Sequence, residues 1–173
     1  MTSVDPHTPS RAASPDSRMA AVAPWISTAA RLILGGVLLV AGALKVVDPQ
    51  ASVAAVRAYE LLPARLETLV GWGLPFVEVA LGLLLLTGLG TRPAAAAAGL
   101  LMLVFIAGVA SAAARGLNID CGCFGGGGQV APDQTAYGRE IVRDVGLLLL
   151  AGWLVVRPQS RLSPSTSSGS VGR

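Results

Sequence analysis

Four stretches of this chain are too long and too apolar to be held by a soluble fold: residues 25–47, 69–89, 93–114 and 141–156. A backbone in lipid must satisfy its own N–H and C=O groups, so only helices and closed barrels cross a bilayer. None of the four stretches alternates with the period of a barrel strand, and the chain therefore reads as all-α, an integral membrane four-helix bundle. Composition agrees. Of the 173 residues 53% are hydrophobic and 13% charged, with a mean hydropathy of +0.63, which leaves too little charge to cover a soluble surface.

The flanks are different. Residues 1–24 and 158–173 are rich in Ser, Pro and Thr with no apolar period, and are expected to be disordered tails around one membrane domain at 25–157. The first apolar stretch follows basic residues, as a signal peptide does, but the long preceding tail and three later stretches favour an uncleaved helix. Arg31 and Lys45 flank its core and are expected to snorkel towards the headgroups. The third stretch starts on Pro93, which suits a first helical turn, and its Ala94–Ala98 run with Gly99 offers a small face for close helix approach. The fourth is short, with Arg139, Glu140, Arg143 and Asp144 in its first turns, and spans only if these lie at the interface, where Arg143 and Asp144 pair. Residues 51–62 place Val53, Ala55, Val56, Tyr59 and Leu62 against Arg57 and Glu60, the pattern of a short interfacial helix ended by Pro63.

The net charge of +3 comes from scattered cations and no basic stripe, so no nucleic-acid partner is expected. An even number of spans puts both tails and the 90–92 turn on one side, with seven of the thirteen cations against six on the other. That margin leans towards cytoplasmic tails in the cell membrane and an extracytoplasmic loop between the third and fourth spans.

That loop holds the only two cysteines, in Asp120-Cys121-Gly122-Cys123-Phe124-Gly125. Two cysteines and a distant His7 make neither a zinc site nor a haem site, so no metal is expected. Thiol–disulfide exchange needs an attacking thiolate, a resolving thiol and access for a partner, and the Cys-Gly-Cys spacing meets the second condition outright. A bridge across one residue is strained and easily reduced. Gly125 to Gly128 supply a flexible run, and Phe124 an anchor at the membrane surface. Two small buried apolar residues in a plain loop are the alternative. Asp120, next to Cys121, disfavours a thiolate there and points to Cys123 as the attacking sulfur. Glu78 is the second candidate: a carboxylate inside a span faces a bundle interior, as a proton relay or as a helix contact. Pro75, one turn earlier, frees a backbone carbonyl.

With these residues in view, the chain resembles the MauE branch of the DoxX-like membrane proteins over residues 25–157. The resemblance is carried by Arg31-Leu32-Ile33-Leu34-Gly35 leading to Ala41-Gly42-Ala43-Leu44-Lys45 and Asp48-Pro49, by Tyr59-Glu60-Leu61-Leu62-Pro63 and by Pro75-Phe76-Val77-Glu78. Asp120-Cys121-Gly122-Cys123-Phe124-Gly125 and Arg143-Asp144 complete it. It implies a role in maturing extracytoplasmic proteins that need disulfides, as in maturation of the small subunit of methylamine dehydrogenase. Cys121 and Cys123 would be the exchanging pair. Thioredoxin-like or disulfide-rich clients would be the partners, and a membrane acceptor, a quinone for example, would take the electrons. Two other readings compete: a non-catalytic subunit anchoring a redox complex, as some DoxX relatives do, and a small-solute transporter resting on Glu78.

Overall fold

The computed structural model describes residues 15–158. Five α-helices and one short hairpin follow in the order α1 (Pro15–Val47), α2 (Pro49–Ala58), α3 (Ala64–Thr87), α4 (Thr91–Ala114), β1 (Ile119–Asp120), β2 (Gly128–Gln129) and α5 (Tyr137–Val156). Residues 15–24, expected in the tail, are helical and continuous with the first span. The tail segments 1–14 and 159–173 lie outside the described residues.

Among the described residues three helices are long and apolar enough to cross a membrane: Val22–Val47, Ala64–Thr87 and Thr91–Ala114. At 1.5 Å per residue the two 24-residue helices reach about 36 Å, against a hydrocarbon core of about 30 Å. The fourth helix, α5, has 20 residues, about 30 Å, and carries charge in its first two turns. Glu140 and Asp144 are nevertheless buried, turned into protein instead of lipid. The chain is a multi-pass membrane protein. Both ends of the bundle meet at one end of the molecule, where Ser27 Oγ donates to the Arg157 carbonyl (2.9 Å) and accepts from Trp153 Nε1 (3.1 Å).

Lipid tails are as apolar as leucine, so helix association rests on close packing. In the α1–α3 pair a Cβ on Gly42 would lie 2.8 Å from the Pro75 carbonyl oxygen, and one on Gly82 would lie 2.8 Å from the Leu39 nitrogen. In the α4–α5 pair the expected small face is the one used. Ala94, Ala95 and Ala98 are buried, and a Cβ on Gly99 would meet Ala151 at 3.4 Å.

Local chemistry sets the ends. Asp48 caps α2, accepting from the Ala51 N–H at 3.0 Å, with Pro49 in the first turn. This helix stops at Ala58, earlier than the sequence pattern implied, and Glu60 adopts a left-handed conformation (φ 51°) that turns the chain towards Pro63. Its buried side is Ser52, Val53, Ala55 and Ala58. The carbonyl freed by Pro75 is that of Gly71, which accepts from Ser52 Oγ at 2.8 Å and ties α2 to α3.

The snorkelling expected of Arg31 and Lys45 does not occur. Arg31 is buried, its Nη2 donating to the Leu86 carbonyl (3.4 Å) beside the left-handed Gly88 that ends α3. Lys45 is 4% exposed and pairs with Glu78. Each cation has a carbonyl or carboxylate on the neighbouring helix within reach.

Candidate functional site

The site lies at the end of the bundle opposite Arg157, under the hairpin. Ile119 pairs with Gln129 and Asp120 with Gly128, so the expected loop closes as an antiparallel ribbon around the cysteines. Tyr137, which opens α5, anchors it from below. Its hydroxyl accepts from the Ile119 N–H (3.0 Å) and donates to the Leu117 carbonyl. The glycines at 125–128 all take positive φ, forming a defined reversal in place of a tether. Gly122 (φ 68°) is required twice, because a Cβ there would also stand 2.5 Å from Ala55 of α2.

This turn holds the two cysteines as free thiols with their sulfurs 2.7 Å apart. Cys121 is partly exposed, and Cys123 is buried at 7% exposure. The Cys123 N–H donates to Cys121 Sγ (3.3 Å), and Arg143 Nη2 approaches the same sulfur at 3.8 Å. The S–H bond from Cys123 first, then the Cys123 N–H and the Arg143 guanidinium, hold the Cys121 thiol below the ordinary thiol value, against burial and Glu140. The shared S–H bond and then burial push Cys123 up. Cys121 is thus the lowered thiol of the pair, the opposite direction from the one Asp120 alone suggests. Asp120 turns its Oδ1 to the Gly122 N–H (2.9 Å), shaping the turn, and an arginine 22 residues away adds to the larger effect of the bonds from Cys123.

Arg143 was expected at the membrane border. It lies over the Phe124 ring (5.1 Å), donates from Nε to Asp144 Oδ1 (2.8 Å) and reaches Cys121 from the same position. The ring of Phe124, expected to anchor the loop, thus stacks with a cation while remaining 43% exposed. Asp144 is fully buried, and its Oδ2 has no hydrogen-bond partner.

Glu78 joins from α3. Its Oε1 is 2.6 Å from Lys45 Nζ, and its Oε2 has no hydrogen-bond partner. The Lys45 ammonium also lies 5.7 Å from the centre of the Phe105 ring. The helix contact expected of Glu78 is present, and Lys45 is the partner that sequence reasoning missed. A cation and an anion near the same end of two antiparallel spans were the signal available.

Two small cavities flank Cys123. One of about 20 Å3 touches Glu78, Phe105, Cys123, Phe124, Arg143 and Asp144. The other, about 40 Å3, touches Lys45, Ser52, Tyr59 and both cysteines. Both are lined almost wholly by apolar surface. An open groove of about 530 Å3 between α2 and β2 touches neither cysteine. Asp120, Cys121 and Glu140 bring one potential ligand atom each within 4.8 Å of one another. Arg143 Nη2 lies 3.8 Å from that sulfur.

The arrangement can therefore hold one thiolate near the surface and one thiol below it, with two half-satisfied carboxylates on the cavity beneath. No curated protein and no solved structure matches the chain. The family model described as methylamine utilisation protein MauE matches residues 23–157, a span that contains the cysteine pair and the Lys45–Glu78 and Arg143–Asp144 pairs. The chain belongs to the MauE family, which is linked to methylamine utilisation.

Proposed function

We propose that this protein is a membrane thiol–disulfide oxidoreductase that supports disulfide formation in extracytoplasmic proteins, with the Cys121–Cys123 hairpin on the outer face of the cell membrane. The observation that carries the reading is the asymmetry of the pair. Cys121 is partly exposed beside Arg143, while Cys123 is buried with its sulfur 2.7 Å away. An attacking and a resolving thiol need that division.

In the oxidised state a client thiolate attacks Cys121 Sγ, the accessible sulfur, and the bond to Cys123 breaks. The client's second thiolate then attacks its own sulfur in the mixed disulfide. Cys121 leaves as a thiolate facing Arg143. The client dithiol has become a disulfide and the protein pair a dithiol, with two electrons moved. Re-oxidation by the disulfide of a thioredoxin-like partner reverses the same steps on a second protein. Glu78, on the cavity below Cys123, is placed in this reading as a proton relay.

The test is thiol trapping in intact cells with a membrane-impermeant maleimide, before and after reduction. Labelling of Cys121 only after reduction supports an exchanging disulfide outside the membrane. A lack of labelling in either state, with detergent-solubilised protein labelling normally, overturns both the orientation and the mechanism. Replacing both cysteines by serine is expected to abolish disulfide formation in clients. Unchanged client maturation would favour a non-catalytic subunit that anchors a redox complex.

A further inference from the structure

We propose that the groove between α2 and β2 seats an extended, basic segment of the client protein, which pairs with Gln129 as a third strand beside the reactive turn. This rests on the exchange reading above and names how the client is held there.

The hairpin has two outer edges, and only one of them is satisfied. Val130 N–H donates to the Asn118 carbonyl (2.9 Å), so the hydrogen-bonded pairs of the ribbon are 118 with 130 and 120 with 128. Ile119 and Gln129 stand opposite each other between these pairs and therefore turn their backbone groups outward. On the β1 edge, Ile119 N–H donates to the Tyr137 hydroxyl (3.0 Å). On the β2 edge, the outward N–H and carbonyl of Gln129 have no hydrogen-bond partner among the described residues. The open groove of about 530 Å3 touches Gly128 and Gln129 of β2 and no residue of β1, which places it on that free edge. An unpaired strand edge beside an open groove takes an extended peptide, whose main-chain hydrogen bonds supply the affinity.

Charge and chain geometry choose the occupant. Across the groove Arg57 Nε donates to Glu67 Oε2 (3.2 Å), so these two charges offset each other. The exposed carboxylate of Glu60 has no hydrogen bond or ion pair among the described residues. One positive and two negative side chains leave the lining one charge negative, which favours a lysine or arginine in the incoming segment. The described chain begins at Pro15 and ends at Pro158, both towards the end of the bundle where Ser27 meets Arg157. The groove is at the opposite end, so the segment comes from a client and not from the ends of this chain.

The reactive sulfur is within reach of such a strand. A third strand lies about 4.8 Å beyond β2 and about 9.6 Å from β1, and the level of Cys121 is two residues, about 6.6 Å, along the ribbon from Gln129. The diagonal is about 12 Å, or about four residues of extended chain. Gly125 to Gly128 present no side chain along that path, so a client cysteine at that spacing crosses the turn to the partly exposed Cys121.

The experiment uses the reduced full chain in detergent and a capped ten-residue peptide of alternating threonine and valine, with one central lysine and a serine four residues from it in place of cysteine. Binding is read by NMR as slowed hydrogen exchange. The peptide is expected to protect the Gln129 amide and to leave that of Ile119, already bonded to Tyr137, unchanged. N-methylation scanned along the peptide should weaken binding roughly 3- to 10-fold at the position that faces Gln129, the loss of one hydrogen bond. Glutamate in place of the peptide's lysine should weaken binding a few fold, and Glu60→Lys should recover it. A Gln129 amide that exchanges equally fast with and without peptide overturns the proposal, as does binding that no N-methyl position weakens. Protection of Gln129 that grows with protein concentration in the absence of peptide, with a dimer in sedimentation, overturns it in favour of edge pairing between two copies. Reaction of the same chain with a small aromatic disulfide tests the exchange reading separately. If that reaction fails while the peptide protects Gln129, the exchange chemistry falls and the strand-binding edge stands.

Discussion

The Lys45–Glu78 pair can be tested quantitatively, because its geometry sets the scale. Nζ and Oε1 are 2.6 Å apart, with side-chain exposures of 4% and 1%. At an effective dielectric constant of 20 the Coulomb attraction at that distance is about 6 kcal/mol. Desolvation of the two ions offsets much of it, so the pair adds little net stability over two apolar residues. Removing one partner is different. Lys45→Met strands a carboxylate at a position 1% exposed, and Glu78→Leu strands an ammonium against the Phe105 ring, each at a cost of about 3–5 kcal/mol. The double variant strands neither and should cost less than either single change. The assay is SDS-titrated unfolding in mixed micelles, followed by far-UV circular dichroism for all four proteins of the cycle. Additive losses, with a coupling below about 0.5 kcal/mol, would refute the pair as a buried contact. Lys45 would then have to reach water, as the sequence alone implied.

Three other predictions concern the hairpin. At pH 7 an alkylating reagent should modify Cys121 well ahead of Cys123, because the Cys123 S–H, its N–H and Arg143 lower the first thiol while the second is raised. The Cys121 rate should therefore reach its plateau at a lower pH than a free thiol does. Arg143→Gln should move that midpoint upward, and mass mapping that finds Cys123 modified first would overturn the assignment. Gly122→Ala should destabilise the hairpin by more than the roughly 1–2 kcal/mol of a left-handed residue, because the new methyl also meets Ala55 at 2.5 Å. Adding Ala55→Gly should recover part of the loss, read as hydrogen-exchange protection of the Ile119 and Val130 amides. Tyr137→Phe leaves the Ile119 N–H and the Leu117 carbonyl without their shared hydroxyl and should cost about 1–3 kcal/mol, with faster exchange at Ile119 as the readout.

Much was legible along the chain because its signals are local. The four apolar runs give helices, since lipid admits no other arrangement of so short a backbone segment. Asp48-Pro49 is a local helix-start signal, and the carbonyl released by Pro75 follows from its missing N–H. Cys121 and Cys123 are neighbours by covalent connection, so their proximity needed no fold. The reach of Arg143 was not legible, because a charge 22 residues away acts on a thiol only after α5 and the hairpin have packed. The same holds for Lys45, which meets Glu78 only once α1 and α3 have packed.

By itself, then, the sequence determined a helical membrane protein carrying one reactive dithiol in a glycine-rich turn. These depend on backbone hydrogen bonding in lipid and on spacing along the chain, both short-range. Tertiary structure alone decided that Arg143 reaches Cys121, that Cys123 is the buried sulfur, and that Glu78 and Asp144 each keep one paired and one unpaired oxygen. Electrostatic effects of that kind depend on distance through space and on exclusion of water, and neither exists until the helices close around the turn.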